Sequence, residues 1–301
     1  MRIIEGMRDQ VKRYGGLFFI LPAFILSVIL FIYPIIKVIQ ISFFQGVFIE
    51  ALPRFVGLQN YFRVGQDKVF LLALRNTCVF TFVSVFAHLV IGLGLGILLS
   101  QKINLTFRAF FRAIFVSPWT FPTAIVATTW LLIYHPFGVF NGLLDYVGLV
   151  KIQAPIEWLS SKSLALWSLI IVNVWRGFPL YFLMLLASLQ AIPPQLYEAA
   201  SIDGANSVNK FFHITLPALK GTIMTLILLD SIWTFRHFDL VSIMTGGGPG
   251  YSSQLMATYS YENAFQKLDF GYASVLAMII LGFSLIVSFK YLRTSRIADR
   301  S

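Results

Sequence analysis

Among the ionisable side chains within the long apolar runs of this chain, Arg176, Asp230 and Arg236 are three candidates, and His237 adjoins the last of them. A charge in apolar surroundings is costly unless it faces a cavity or a partner, so these are the first candidates for chemistry. Asp230, Trp233, Thr234 and His237 recur at i, i+3, i+4 and i+7, which sets them along one stripe of a helix, and such a stripe can line a pore. Two readings stay open. The stripe can face a polar ligand, or Arg176 and Asp230 can pair across a helix bundle and fix its register without touching any ligand. His88, His135, His213 and His237 are far apart and show no metal-ligand spacing, so no metal site is expected. No nucleophile with a nearby base falls on facing runs, which argues against an intramembrane enzyme. The single cysteine, Cys78, has no partner for an internal disulfide and reads as a small core residue.

The elements that must position these groups follow from composition. With 57% apolar residues, 12% charged residues and a mean hydropathy of +0.78, the chain cannot be organised around one aqueous core. A bilayer core of about 30 Å asks for roughly 20 apolar residues per helix. Six such runs occur, near 16–37, 76–100, 110–134, 163–189, 217–245 and 271–290. They are apolar on every face and lack the alternation of barrel strands. The expected fold class is therefore an all-α membrane protein with about six transmembrane helices, one domain over 16–301 behind a short segment 1–15.

The net charge of +10 does not indicate a nucleic-acid partner, because the basic residues are scattered between the spans. They report orientation instead. Arg2, Arg8, Lys12 and Arg13 precede the first span, Lys102, Arg108 and Arg112 separate the second from the third, and Lys290, Arg293, Arg296 and Arg300 follow the sixth. With Lys210, the segments on that side hold 12 of the 23 basic residues, against 8 in the longer segments opposite, so both termini are expected in the cytoplasm. The first apolar run is too long for a secretory signal and lacks an A-x-A-like cleavage site, and it reads as a retained anchor. Pro22, Pro34, Pro118, Pro122 and Pro179 predict kinks in the first, third and fourth spans. Gly92, Gly94 and Gly96 offer a face for close helix approach.

Between the fourth and fifth spans lies a polar segment that runs from Glu198, Ala199, Ala200, Ser201, Ile202, Asp203 and Gly204 to Ile214, Leu216 and Pro217. Pro194 can open a short helix and Gly204 can end it, Asn206 or Ser207 can begin a second, and Pro217 starts the fifth span. The charge pattern puts this hairpin, residues 191–216, in the cytoplasm, where Leu196, Tyr197, Ala200, Phe211 and Phe212 can anchor it in a groove of another protein. An ordinary connector is the plainer alternative. The chain has no G-x(4)-G-K-[ST] run, and its glycine-rich stretch, Thr245-Gly246-Gly247-Gly248-Pro249-Gly250, lacks the Lys-Ser/Thr ending of a phosphate-binding loop.

The segment from Glu198 to Pro217 resembles the E-A-A-x(3)-G-x(9)-I-x-L-P signature of permease subunits of ATP-binding-cassette importers. That resemblance implies the type I importer permease fold, no catalytic residue and no cofactor in this chain, and ATP bound by partner subunits. It also implies that Glu198, Ala199, Ala200, Asp203, Gly204, Leu216 and Pro217 couple the chain to a cytoplasmic ATPase. A turn with positive φ is expected at Gly204. Thr234 to Asp239 and Thr245 to Pro249, with Tyr259, Ala264-Phe265, Phe270-Gly271-Tyr272-Ala273 and Gly57-Leu58-Gln59-Asn60-Tyr61, resemble the carbohydrate-uptake branch, of maltose and glycerol-3-phosphate type, in the first-permease role.

By the same resemblance, Arg176, Gly177, Leu180, Asp230, Trp233, Thr234 and His237 are substrate-contact positions. Trp233 would stack on a sugar ring, and Asp230 and His237 would hydrogen-bond to hydroxyls. The charges depart from the largely uncharged maltose-type pattern, so an acidic or amino sugar, glycerol-3-phosphate or another charged derivative is open. The implied partners are a second homologous permease, two cytoplasmic ATPase subunits, an extracytoplasmic sugar-binding protein and the lipid of the cytoplasmic (inner) membrane. Phe137 to Leu144 faces that binding protein by resemblance, or packs on the bundle as a cap, and the two can coexist. Transport is then expected by alternating access. A self-sufficient secondary transporter coupled to an ion gradient through Asp230, Arg176 or His237 is the competing class, and it leaves the hairpin signature unexplained.

Overall fold

The computed structural model describes residues 20–46, 53–101, 104–151 and 153–298. The segment 1–15, residues 16–19 of the expected first span, and the orienting charges Arg2, Arg8, Lys12, Arg13, Lys102 and Arg300 lie outside the described residues. The chain begins with α1 (Ile20–Ile41), a two-stranded antiparallel pair of β1 (Phe44–Gln45) and β2 (Arg54–Phe55), α2 (Gln59–Gln66) and α3 (Lys68–Ser100). There follow α4 (Leu105–Thr120), α5 (Thr123–Ile133), α6 (Val139–Tyr146), α7 (Ala165–Gln190), α8 (Pro194–Ile202) and α9 (Ser207–Lys210). A π-helical turn, Phe211–Thr215, leads into α10 (Leu216–Phe235), and α11 (Asp239–Met244), α12 (Met256–Tyr261) and α13 (Phe270–Ala298) complete the chain. Among the described residues, five helical stretches are long and apolar enough to cross a membrane, and α4 with α5, bent by 98°, passes the same test only as a pair.

The described residues form two compact units: those up to Val64 with Asn263–Met278, and Gly65–Glu262 with those from Ile279 onward. In the first unit, Gly57 turns the chain with φ +54° ahead of α2, and buried Asn60 donates to the carbonyls of Ser42 (2.9 Å) and Phe44 (3.0 Å). A Cβ at Gly271 would lie 2.0 Å from the Phe44 carbonyl oxygen and 2.8 Å from Asn60 Nδ2, so glycine is required there. The Gly57 to Tyr61 and Phe270 to Ala273 segments are thus two sides of one packing contact. Arg63 pairs with Asp269 at 2.9 Å and lies over the Tyr272 ring.

The second unit is built on α3 and α7, which make its most extensive helix pairing. Their axes come close because Gly92 has no side chain: a Cβ there would sit 2.5 Å from Tyr181 Cβ and 2.8 Å from the Phe182 nitrogen. Gly96 leaves ordinary contact distances and Gly94 faces open space, so the expected glycine face narrows to Gly92. Cys78 is exposed rather than part of the core. The second span starts at Lys68, earlier than its apolar run, because the Asp67 side chain caps α3 by accepting from the Val69 N–H.

The third span is broken at Phe121–Pro122, where the residue before proline is held extended. Pro118 and Pro179, by contrast, are accommodated inside α4 and α7. The fifth span ends at Phe235 rather than running to 245, with α11 a separate short helix. Phe80, Tyr134, Leu169, Leu240 and Leu255 are fully or almost fully buried and centre the main apolar cluster. The glycine-rich stretch is a compact loop. Gly246, Gly247 and Gly250 have positive φ, the Gly248–Pro249 bond is cis, and Asn76 on α3 donates to the carbonyls of Ser252 (3.0 Å) and Gln254 (3.2 Å).

Candidate functional site

Residues of α7 and α10 and the turn after α10 line a cavity of about 530 Å³. Its wall includes Asn173 and Arg176 from α7, Asp230, Trp233 and Thr234 from α10, Arg236, His237 and Asp239 beyond it, and Trp119 from α4. Asp230 and Thr234 are buried, whereas Trp233 and Trp119 are 48% and 46% exposed, so this chain leaves their rings largely uncovered. His237 stands past the helix end, its N–H donating to the Thr234 carbonyl (3.1 Å) and its ring edge-on to Phe80.

Asp230 does not pair with Arg176. One carboxylate oxygen lies 2.7 Å from Nδ1 of His88, a buried residue of α3, and the other accepts from the Thr234 hydroxyl at 2.9 Å. The second ring nitrogen of His88 lies 3.1 Å from the Asn173 carbonyl oxygen. His88 thereby ties α3, α7 and α10 together at the depth of the cavity. Gly177 belongs to the same arrangement: a Cβ on it would stand 2.2 Å from His88 Nε2. Its role is to leave room for the imidazole, and it does not line the cavity. Leu180 also turns away, packing with Tyr181, Leu185 and Leu219. Among the described residues Arg176 has no ion pair, and its Nε is buried without a hydrogen-bond partner.

The hairpin forms as the residue types predict at its first turn. Pro194 lies at the start of α8, Gly204 follows it with φ +79°, and the Ala205 N–H closes the turn on the Ala200 carbonyl at 2.8 Å. Asn206 caps α9 by accepting from the Asn209 N–H. The second arm is not a separate short helix, however, because α9 continues through the π-helical turn into α10, with Pro217 near the α10 start. Tyr197 bonds Thr215 (2.9 Å) and Lys210 bonds Ser201 (2.6 Å), bracing the two arms. Glu198, Ala199, Asp203 and Gly204 are exposed and Ala200 half-exposed. Leu196 (50%), Ile202 (88%), Val208 (61%) and Phe212 (56%) form its exposed apolar side chains, while Tyr197 and Phe211 are partly covered.

Residues 92–296 match the family described as the binding-protein-dependent transport system inner membrane component. The chain belongs to this family of transport permeases. The trehalose/maltose transport system permease protein MalF of Thermococcus litoralis is 38% identical over 93% of this permease and 93% of its own length. The sulfoquinovosyl glycerol transport system permease protein SmoG of Agrobacterium fabrum is 33% identical over 97% and 93%. The arabinooligosaccharides transport system permease protein AraP of Bacillus subtilis is 29% identical over 97% and 92%. A solved bacterial transporter for import of the acidic polysaccharide alginate shares the fold, with a TM-score of 0.81 and 22% identity over 96% of this permease and 98% of that chain. The permease is thus a multi-pass membrane component of a transport system and not an enzyme.

Within this permease, Arg176, Asp230, Trp233, Thr234 and His237 come together as cavity wall, whereas Gly177 and Leu180 do not. Sequence reasoning missed His88, 142 positions from Asp230, together with Trp119, Asn173 and Asp239. A histidine within an apolar run was the sequence signal for the first of these. In the outer segment, Phe140 packs against Tyr134 and Trp158, and Asn141 bonds Pro136, Ile156 and Trp158, so α6 is a cap on the bundle. Phe137, Val139, Leu143 and Tyr146 remain exposed on it.

Proposed function

We propose that this chain is the first transmembrane permease subunit of an ATP-driven, binding-protein-dependent importer of a sugar or oligosaccharide. The observation that carries the reading is the cavity between α7 and α10, in which two open tryptophan faces, Trp119 and Trp233, stand beside Arg176, Asn173 and His237. A pyranose offers C–H surface to aromatic rings and hydroxyls to polar groups, and this wall answers both. Relatives named for trehalose/maltose, sulfoquinovosyl glycerol and arabinooligosaccharide transport support the substrate class.

In this reading the permease lies in the cytoplasmic (inner) membrane with both termini inside, as the basic segments favour. It forms half of the path beside a second, homologous permease, and its hairpin docks through Glu198 to Gly204 on one of two ATPase subunits that bind ATP. An extracytoplasmic sugar-binding protein delivers the substrate, meeting the exposed face of α6. Closure of the ATPases moves the hairpin, and α10, continuous with it, carries the movement to the cavity wall. Gentle purification of the tagged chain from native membranes is expected to recover an ATPase and a second six-span chain, with ATP hydrolysis that rises on adding the loaded binding protein. A solitary chain that still transports after ATP depletion, and stops when the ion gradient collapses, would sink the proposal.

A further inference from the structure

The charges around the cavity do not balance, and the imbalance has a sign. His88 Nε2 faces a carbonyl oxygen, which only accepts, so it carries a hydrogen, and the 2.7 Å contact from Nδ1 to Asp230 must hold a second proton. Whichever atom keeps that proton, His88 and Asp230 together are neutral. The other oxygen of Asp230 accepts a hydrogen bond from the Thr234 hydroxyl. The remaining charged groups of the wall are Arg176 and Arg236 against Asp239, and His237 can add only positive charge. Among the described residues, none of Arg176, Arg236 and Asp239 is in an ion pair. Arg176 Nε and Asn173 Nδ2, one turn apart on α7, are both buried donors without acceptors. Asp239 is the one carboxylate of the wall left to face two guanidinium groups, and it acts on Arg176 without a direct ion pair, so one positive charge stays unmatched, which is costly among membrane helices, as are donors left unmade.

Resting on the carbohydrate reading above, we infer that the transported sugar carries an oxyanion, a carboxylate, sulfonate or phosphate, and that Arg176 is the group that receives it. The planar guanidinium suits a carboxylate or phosphate edge, and Asn173 adds a donor one turn earlier on the same helix. Trp119 and Trp233 then hold the apolar face of the ring, and the neutral His88–Asp230 pair holds α3, α7 and α10 around it without competing for the anion. At Asp230 an ammonium would meet a carboxylate already bonded to His88 and Thr234, and the other carboxylate of the wall, Asp239, is outnumbered there by Arg176 and Arg236.

The test uses the intact complex with its binding protein in liposomes, and measures uptake of a galacturonate disaccharide, a sulfonated glycoside and a sugar phosphate against neutral maltose. At least one anionic probe is expected to enter roughly tenfold faster than maltose. Arg176→Gln is expected to reduce that uptake roughly ten- to a hundredfold per assembled complex, with Arg176→Lys restoring part of it. Maltose entering as fast as the anionic probes would overturn the inference, and that comparison needs no variant. So would unchanged anionic uptake by Arg176→Gln, or a loss confined to assembly, which would make Arg176 a partner of the second subunit. If none of the four probes enters although ATP hydrolysis responds to the binding protein, the carbohydrate reading itself fails. Entry of maltose alone leaves that reading standing and removes only the anion.

Discussion

Two glycines of the candidate functional positions are required for different physical reasons, and substitutions separate them. At Gly177 the constraint is a neighbour: any Cβ collides with the imidazole of His88 and displaces it from Asp230. A buried, charge-assisted hydrogen bond contributes about 1.5–3 kcal/mol. Gly177→Ala is therefore expected to lower thermal stability in detergent by several degrees and uptake at least tenfold. Because the clash and the bond share one ring, Gly177→Ala combined with His88→Ala should cost less than the two single changes summed; strict additivity in that cycle would show that the residues do not touch. At Gly204 the constraint is the backbone. Its φ of +79° strains any other residue by about 1 kcal/mol, yet a Cβ there meets no atom of the described residues within 4 Å. Gly204→Ala is expected to cost little in the isolated subunit. Gly204→Asp, placing a charge on the exposed turn, is expected to lose the ATPase on co-purification or to hydrolyse ATP without uptake, and normal uptake by it would refute the coupling assignment.

At the scale of elements, the helix pair α3 and α7 sets the frame, and its spacing depends on one position. A leucine at Gly92 must push its Cβ into Tyr181 and the backbone at Phe182, so Gly92→Leu is expected to destabilise by about 1–3 kcal/mol. Gly94→Leu, facing open space in the chain, should be near neutral, and thermal melts of the two variants check the contrast. Five candidate spans and the bent α4–α5 pair were readable because a bilayer-spanning helix needs an unbroken apolar run, and that is a property of local composition. Their ends and breaks were not, because they depend on single residues. Asp67 caps α3 so that the helix starts at Lys68, eight positions ahead of the run that starts at 76, and the α4–α5 pair is bent by 98° at Pro122 where a kink alone was expected. The stripe from Asp230 to His237 was readable from spacing, whereas the partner of Asp230 was not. His88 is brought to it only by the packing of α3 against α7 and α10, which leaves no trace in local periodicity. The Gly57 to Tyr61 and Phe270 to Ala273 segments were likewise recognisable as motifs, but their use, a close backbone approach at Gly271, appears only in three dimensions.

For the whole molecule the decisive feature is a surface that this chain cannot bury. Leu196, Ile202, Val208 and Phe212 project from a hairpin rich in polar residues, and apolar side chains gathered on a polar projection mark a site of association. A helix in a groove buries such anchors, with the most protruding ones most protected. Ile202, 88% exposed at the tip beside Gly204, is the most sensitive reporter. Cys78 is the single native cysteine, so Ile202→Cys in a Cys78→Ser background places one thiol on the hairpin. A membrane-impermeant maleimide is expected to label it in inside-out vesicles and not in right-side-out ones, and labelling should fall several-fold once the ATPase subunits are assembled. Labelling only from the outer face would reverse the orientation drawn from the basic segments and, with it, remove the hairpin from any cytoplasmic ATPase. Labelling from the inner face that the ATPase does not protect would keep the orientation and move the docking surface away from Ile202. Because α9 runs without a break into α10, protection at the hairpin that is accompanied by altered reactivity at the cavity wall would trace the route by which ATPase closure reaches the substrate.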